Sequence, residues 1–188
     1  MGRPKLLLPW GRTTILGHLL DQWQRLGAAQ IAVVCAAEDR TLEQELVRLK
    51  FPSANRILNP TPERGMFSSI QCAAQWNGWN EHISHWAIVL GDQPHLPLET
   101  IRAILEFSAA NPEKICQPRY AGHRRHPVFL PEPLFKEVAD SAVSDLRQFL
   151  DVHLSDTLFL ESSDPALALD LDTPEDYQSA LRTYGGPQ

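Results

Sequence analysis

The sequence predicts a three-layer α/β domain with a mostly parallel sheet, and three observations carry that prediction. The first is the stretch from His85 to Pro94, where Trp86, Ala87, Ile88, Val89 and Leu90 run without polar alternation into a Gly91-Asp92-Gln93-Pro94 turn. A short unbroken apolar run suits a strand covered on both faces, as in a parallel sheet. The second is that strand-like and helix-like segments alternate along the chain, which calls for right-handed crossovers. The third is the place of Asp92, one residue past the expected strand end, where open α/β sheets bind their ligands.

The elements follow in order. Thr13 or Thr14 caps a helix with Ile15, Leu16, Leu19, Leu20, Trp23 and Leu26 on its apolar face, ending at Gly27. Gln30 to Cys35 reads as a buried strand. Asp39 to Lys50 is an amphipathic helix with Leu42, Leu46, Val47 and Leu49 inward, and Arg56 to Leu58 is a short strand. A loop from Asn59 to Gly65 leads to a helix from Met66 to Trp76. Beyond the Trp86–Leu90 strand come a helix from Pro97 to Ala110 and strands at Ile115–Pro118 and His126–Leu130, joined by the polar segment Arg119 to Arg125. Helices are expected at Pro131–Ala139 and Ser144–His153, strands at Thr157–Glu161 and Ala166–Leu171, and a last helix at Pro174–Arg182. Gly185 to Gln188 reads as a frayed tail.

The 188 residues fit one domain, residues 1–188, with no repeat or linker. A net charge of −6 argues against nonspecific nucleic-acid binding, and the apolar runs are too short for a membrane span. Cys35, Cys72 and Cys116 are odd in number and far apart, so a reducing cytoplasm is expected. Cys35 and Cys72 stand in apolar surroundings and are expected to be inert. Trp76, Trp79 and Trp86 read as packing residues.

Three separated motifs resemble the MobA-like nucleotidyltransferases, closest to the molybdenum cofactor cytidylyltransferases. They are Met1-Gly2-Arg3-Pro4-Lys5-Leu6-Leu7-Leu8-Pro9, Gly91-Asp92-Gln93-Pro94, and Asp170-Leu171-Asp172-Thr173-Pro174-Glu175-Asp176. The resemblance spans essentially the whole chain. It implies a Rossmann-like nucleotidyltransferase fold and transfer of a nucleoside monophosphate from an NTP, with release of pyrophosphate. CTP and molybdopterin are the pair it favours; another phosphorylated small-molecule acceptor is the alternative.

The resemblance also distributes roles. Lys5 matches the family's phosphate-binding lysine, as a flexible ammonium against a polyanion. Asp92 matches the magnesium-binding aspartate; Mg²⁺ needs only one or two carboxylates beside phosphate oxygens and water. Asp172 matches the second metal position, although an Asp before Thr-Pro-Glu also suits a helix start, and Asp170 lies two residues before it in an expected strand end. Gly65, Met66, Ser68 and Ser69 match the loop that contacts the nucleotide, where a helix start offers free N–H groups. His123, Arg124, Arg125 and His126 match the acceptor segment, with Arg125 standing where the family has Gly. His123 and His126 find no third ligand at zinc spacing.

The family's opening strand and glycine-rich loop have no counterpart before Lys5. That strand would lie mid-sheet, beside the one ending at Leu90. The expectation is that Met1 is an internal methionine and the start codon lies upstream. A non-catalytic assembly protein for a molybdoenzyme is the rival that a true start at Met1 would favour.

Overall fold

The computed structural model describes residues 4–185. The expectations for Met1 to Arg3 and for the tail from Gly186 onward lie outside the described residues. A 3₁₀ turn at Lys5–Leu7 leads to a small antiparallel ribbon, β1 (Pro9–Trp10) and β2 (Thr13–Thr14). Helix α1 (Ile15–Arg25) follows, its first turn held by the Thr14 hydroxyl, which accepts from Gly17 N. Then come β3 (Val33–Ala36), α2 (Arg40–Arg48) capped by Asp39, β4 (Arg56–Asn59), α3 (Met66–Gln75), β5 (His85–Ile88) and α4 (Leu98–Ala109). The second half holds β6 (Ile115–Tyr120), β7 (His123–Arg124), β8 (Val128–Pro131), α5 (Glu132–Val138), α6 (Leu146–Val152), β9 (Thr157–Glu161) and α7 (Pro174–Tyr184).

Side-chain alternation along the strands builds the three layers. On β8, Val128 and Leu130 join Trp86 and Ile115 under Phe67, Ile70, Phe135 and Phe149 of α3, α5 and α6. Phe129 points the other way, with Cys116, to Trp23 of α1 and Ile101 and Ile104 of α4. Trp79 and Trp86 meet edge to face, and Trp86 stacks on Phe135 at 4.6 Å, the packing role expected of these tryptophans.

The strands form two hydrogen-bonded groups besides the β1–β2 ribbon. β3 and β4 are parallel. In the larger sheet β8 lies antiparallel between β5 and β6, and β9 runs parallel to β6, so β5, β6 and β9 share one direction. Leu16 of α1 packs with Cys35 of β3 while Trp23 packs with Phe129, so one helix covers both groups. Helix α3 does the same on the opposite face. Between them, β3 and β5 are each unpaired on one edge among the described strands.

Several boundaries differ from expectation. β5 ends at Ile88, not Leu90, and Val89 is 39% exposed. Ile88 and Val128 are the last residues that pair across this ladder. Asp92 therefore stands four residues beyond the strand. Residues 166–171 are not a strand; Pro165–Ala168 is a 3₁₀ turn capped by Asp164, with Ala166 and Leu167 buried against α4. Val47 points outward. The polar segment after β6 hides a hairpin, in which Ala121 (φ 49°) and Gly122 (φ 79°) both adopt positive φ, as a two-residue type I′ turn requires.

Candidate active site

The loops at one end of the larger sheet gather Lys5, Asp92, His126 and Asp172 of the expected residues. The Lys5–Leu7 turn docks there through Leu6, whose side chain lies so close to Gly91 that a Cβ on that residue would come within 2.6 Å of it. Lys5 Nζ donates to Asp172 Oδ1 at 2.8 Å, joining positions 167 residues apart. Asp172 is mostly exposed, and it does not cap α7. Thr173 does, through a reciprocal box with Asp176. The expected strand end at Asp170 and Asp172 is irregular backbone, so strand periodicity does not put the two carboxylates on one face.

Asp92 has one carboxylate oxygen, Oδ1, buried without a hydrogen-bond partner among the described residues. Its neighbour Gln93 is buried and its Nε2 reaches Asp170 Oδ1 at 3.5 Å. His126 turns inward to the same place, with Nδ1 3.5 Å from Ile88 O. Burial pushes the His126 pKa down, against the upward pull of the Ile88 carbonyl and of the carboxylates of Asp92 and Asp170. His95 is alike: burial lowers its pKa, while Ala166 O, Asp170 and Asp92 pull it up. Asp92, Asp170, His95 and His126 thus form one electrostatic neighbourhood. Sequence reading missed Gln93 and His95; their only signal was adjacency to Asp92.

The acceptor segment does not act as one cationic cluster. His126 belongs with Asp92, and His123 is exposed on the β6–β7 hairpin. Arg124 pairs with Asp151 of α6. Arg125 is fastened by its backbone, N–H to Pro118 O at 2.9 Å and its carbonyl accepting from Gln117 at 3.2 Å, with its Nε buried and without a partner among the described residues.

The Gly65–Ser69 loop is a separate wall. Gly65, at φ 85°, turns the chain into α3, whose start no side chain caps. Met66 is exposed there. Ser68 departs from its expected role: it is buried, donates to Gly65 O at 2.7 Å or Thr61 O at 3.2 Å, and accepts from Asn59 Nδ2. That hydroxyl is committed to the loop, whereas Ser69 only accepts from Asn59. A groove of about 430 Å³ runs from this loop along α3, walled by Thr61, Arg64, Gln71, Cys72 and Asp140. The apolar surroundings expected for Cys72 are therefore a polar groove wall. Cys35 is buried, and desolvation pushes its thiol up to about 11, as an inert residue requires.

Among the described residues no group of three or more His, Cys, Asp or Glu side chains could hold a metal by itself. A partnerless carboxylate oxygen at Asp92, with Asp170 and Asp172 on the facing loop, fits a hard divalent cation that takes its remaining ligands from a bound substrate. No helix among the described residues is long and apolar enough to cross a membrane.

Comparison with known proteins identifies the family. Residues 1–157 match the family described as the MobA-like NTP transferase domain. The molybdenum cofactor cytidylyltransferase of Escherichia coli (strain K12) is 26% identical over 185 residues, covering 98% of this chain and 90% of that protein. Rv0371C of Mycobacterium tuberculosis H37Rv, solved in complex with manganese, superposes with a TM-score of 0.67 at 25% identity, covering 96% of this chain and 93% of that one. Its homologue from Mycobacterium sp. strain JC1 shares the fold with a TM-score of 0.74 at 22% identity, covering 98% and 89%. The chain belongs to the MobA-like NTP transferase family, and it is a nucleotidyltransferase.

Proposed function

We propose that this chain transfers CMP from CTP to the phosphate of molybdopterin, with Mg²⁺ as cofactor and in the cytoplasm, releasing pyrophosphate. The observation that carries the reading is the arrival of Lys5, Asp92, Asp170 and Asp172 at one end of the sheet. Its choice of substrates rests on the likeness to the Escherichia coli cytidylyltransferase along nearly the whole chain.

In this reading an oxygen of the acceptor phosphate attacks the α-phosphorus of CTP. The bond from that phosphorus to the β-phosphate oxygen breaks, and pyrophosphate leaves in line. Little covalent chemistry is left to the protein; positioning and charge neutralisation do the work. Lys5 faces the triphosphate. Gly65, Met66 and the open start of α3 offer N–H groups to the nucleotide, with Ser69 beside them and Ser68 shaping the loop. Asp92, with Asp172 and with Asp170 in reach, would hold Mg²⁺, which neutralises phosphate charge when bound. The segment from His123 to Arg125 faces the acceptor, and His126 lines the floor beside Asp92.

The test is pyrophosphate release by the purified chain with CTP, GTP, ATP and UTP in turn, with and without molybdopterin. Release with CTP that depends on molybdopterin supports the reading. Release with CTP and a different phosphorylated acceptor would keep the reaction and replace the substrate.

A further inference from the structure

The two cations of the β6–β7 hairpin are paired differently. Arg119 gives both Nε and Nη2 to Oε1 of Glu161 and lays its guanidinium over the Phe159 ring at 4.9 Å. Arg124 gives only Nη2 to Asp151 Oδ1, and its Nη1 is buried without a partner among the described residues. A guanidinium has two parallel donors that suit a phosphate with two oxygens, and one carboxylate oxygen satisfies half of that fork. Asp151 is well held, because Leu146, Phe149 and Leu150 anchor α6 in the core. Its carboxylate is nevertheless about half exposed, so Arg124 can leave it without stranding a buried charge.

We infer that Asp151 is a specificity-determining counter-charge for an anion site centred on Arg124. It holds the guanidinium in place at the hairpin and yields it to a ligand that can accept from both Nη atoms. A phosphate dianion qualifies. A neutral or single-acceptor ligand does not compete with the resident carboxylate, so Asp151 sets a threshold that favours phosphorylated acceptors. As an acceptor-side device this rests on the proposed reaction; as an anion site it does not.

The experiment is a calorimetric titration with inorganic phosphate at low ionic strength. It compares the wild type, Asp151→Asn, Asp151→Glu, Arg124→Gln and the Asp151→Asn/Arg124→Gln double variant. Asp151→Asn is expected to tighten phosphate binding by roughly threefold to fivefold, the scale of a part-exposed ion pair. Asp151→Glu should stay near wild type, and the gain should vanish in the Arg124→Gln background. Unchanged or weaker binding by Asp151→Asn overturns the inference, because a merely structural tie would loosen the hairpin when cut. A gain that persists without Arg124 overturns it as well. Pyrophosphate release by the wild type is scored separately. An Arg124-dependent gain in a chain that releases no pyrophosphate keeps the anion site and removes the proposed reaction.

Discussion

Asp92 and Ser68 show how differently two expected site residues are used. A buried acceptor left without a partner costs about 1–3 kcal/mol, and the molecule bears that at Asp92 Oδ1. The cation proposed for this site would take up that oxygen. Asp92→Asn is therefore expected to abolish metal-dependent turnover while leaving the melting temperature unchanged or slightly raised. Pyrophosphate release against Mg²⁺ concentration, beside a thermal melt, reads both; normal turnover at limiting Mg²⁺ would remove Asp92 from the centre. Ser68 is the opposite case. Its hydroxyl ties Asn59, Thr61 and Gly65 together in a buried place, so Ser68→Ala should cost about 1–2 kcal/mol in urea unfolding. Ser69→Ala should stay within about 0.5 kcal/mol, since its one described contact is shared with Ser68. Equal losses at the two positions would contradict this division.

Elements whose signals are local were legible in the sequence, and those defined by partners were not. Thr14 and Asp39 each cap a helix by accepting from an N–H three residues on, a relation the sequence contains, whereas α7 is capped by Thr173 and not by the Asp172 that the sequence suggests. Thr173→Ala should accordingly cost about 1 kcal/mol by denaturant unfolding. Because Asp172 precedes that cap and pairs with Lys5, the same substitution should raise the KM for CTP; an unchanged KM would separate cap and site. The end of β5 was not legible, since Val89 and Leu90 continue the apolar run past Ile88, the last residue that pairs. Nor was the 3₁₀ turn at Pro165–Ala168, where apolar residues are buried by α4 rather than by sheet pairing. The site divides in the same way. Asp92 stood out because Gly-Asp-Gln-Pro ends an apolar run. The Lys5–Asp172 pair, the turning of Arg124 to α6 and the inward turn of His126 are facts of tertiary contact.

At the scale of the whole molecule, the Gly91–Leu96 loop is ringed by histidines that the fold holds neutral. His18 on α1 lies near the Pro94 backbone, His95 lies in the loop, and His126 meets Ile88 O just before it. Burial is the leading cause of a lowered pKa in all three, against a usual value of 6.5. A group whose pKa is depressed by folding binds protons more readily in the unfolded chain. The stability it lends is present above pH 6.5 and is lost as pH falls from there through the folded value. The carboxylates with lowered pKa, Glu45 held by Arg48, Asp156 held by Lys114 and Asp176 held by Thr173, act only below their usual values of 4.5 for Glu and 3.8 for Asp. General charge repulsion works in the opposite sense, since acidification brings a chain of net charge −6 towards neutrality. Between about pH 6.5 and 5 the histidines alone therefore drive stability down. Urea unfolding across that range should show unfolding free energy rising with pH and levelling off above about pH 7. A flat or falling profile would mean that these three side chains accept protons in the folded state, and that the loop carrying Asp92 is open to water.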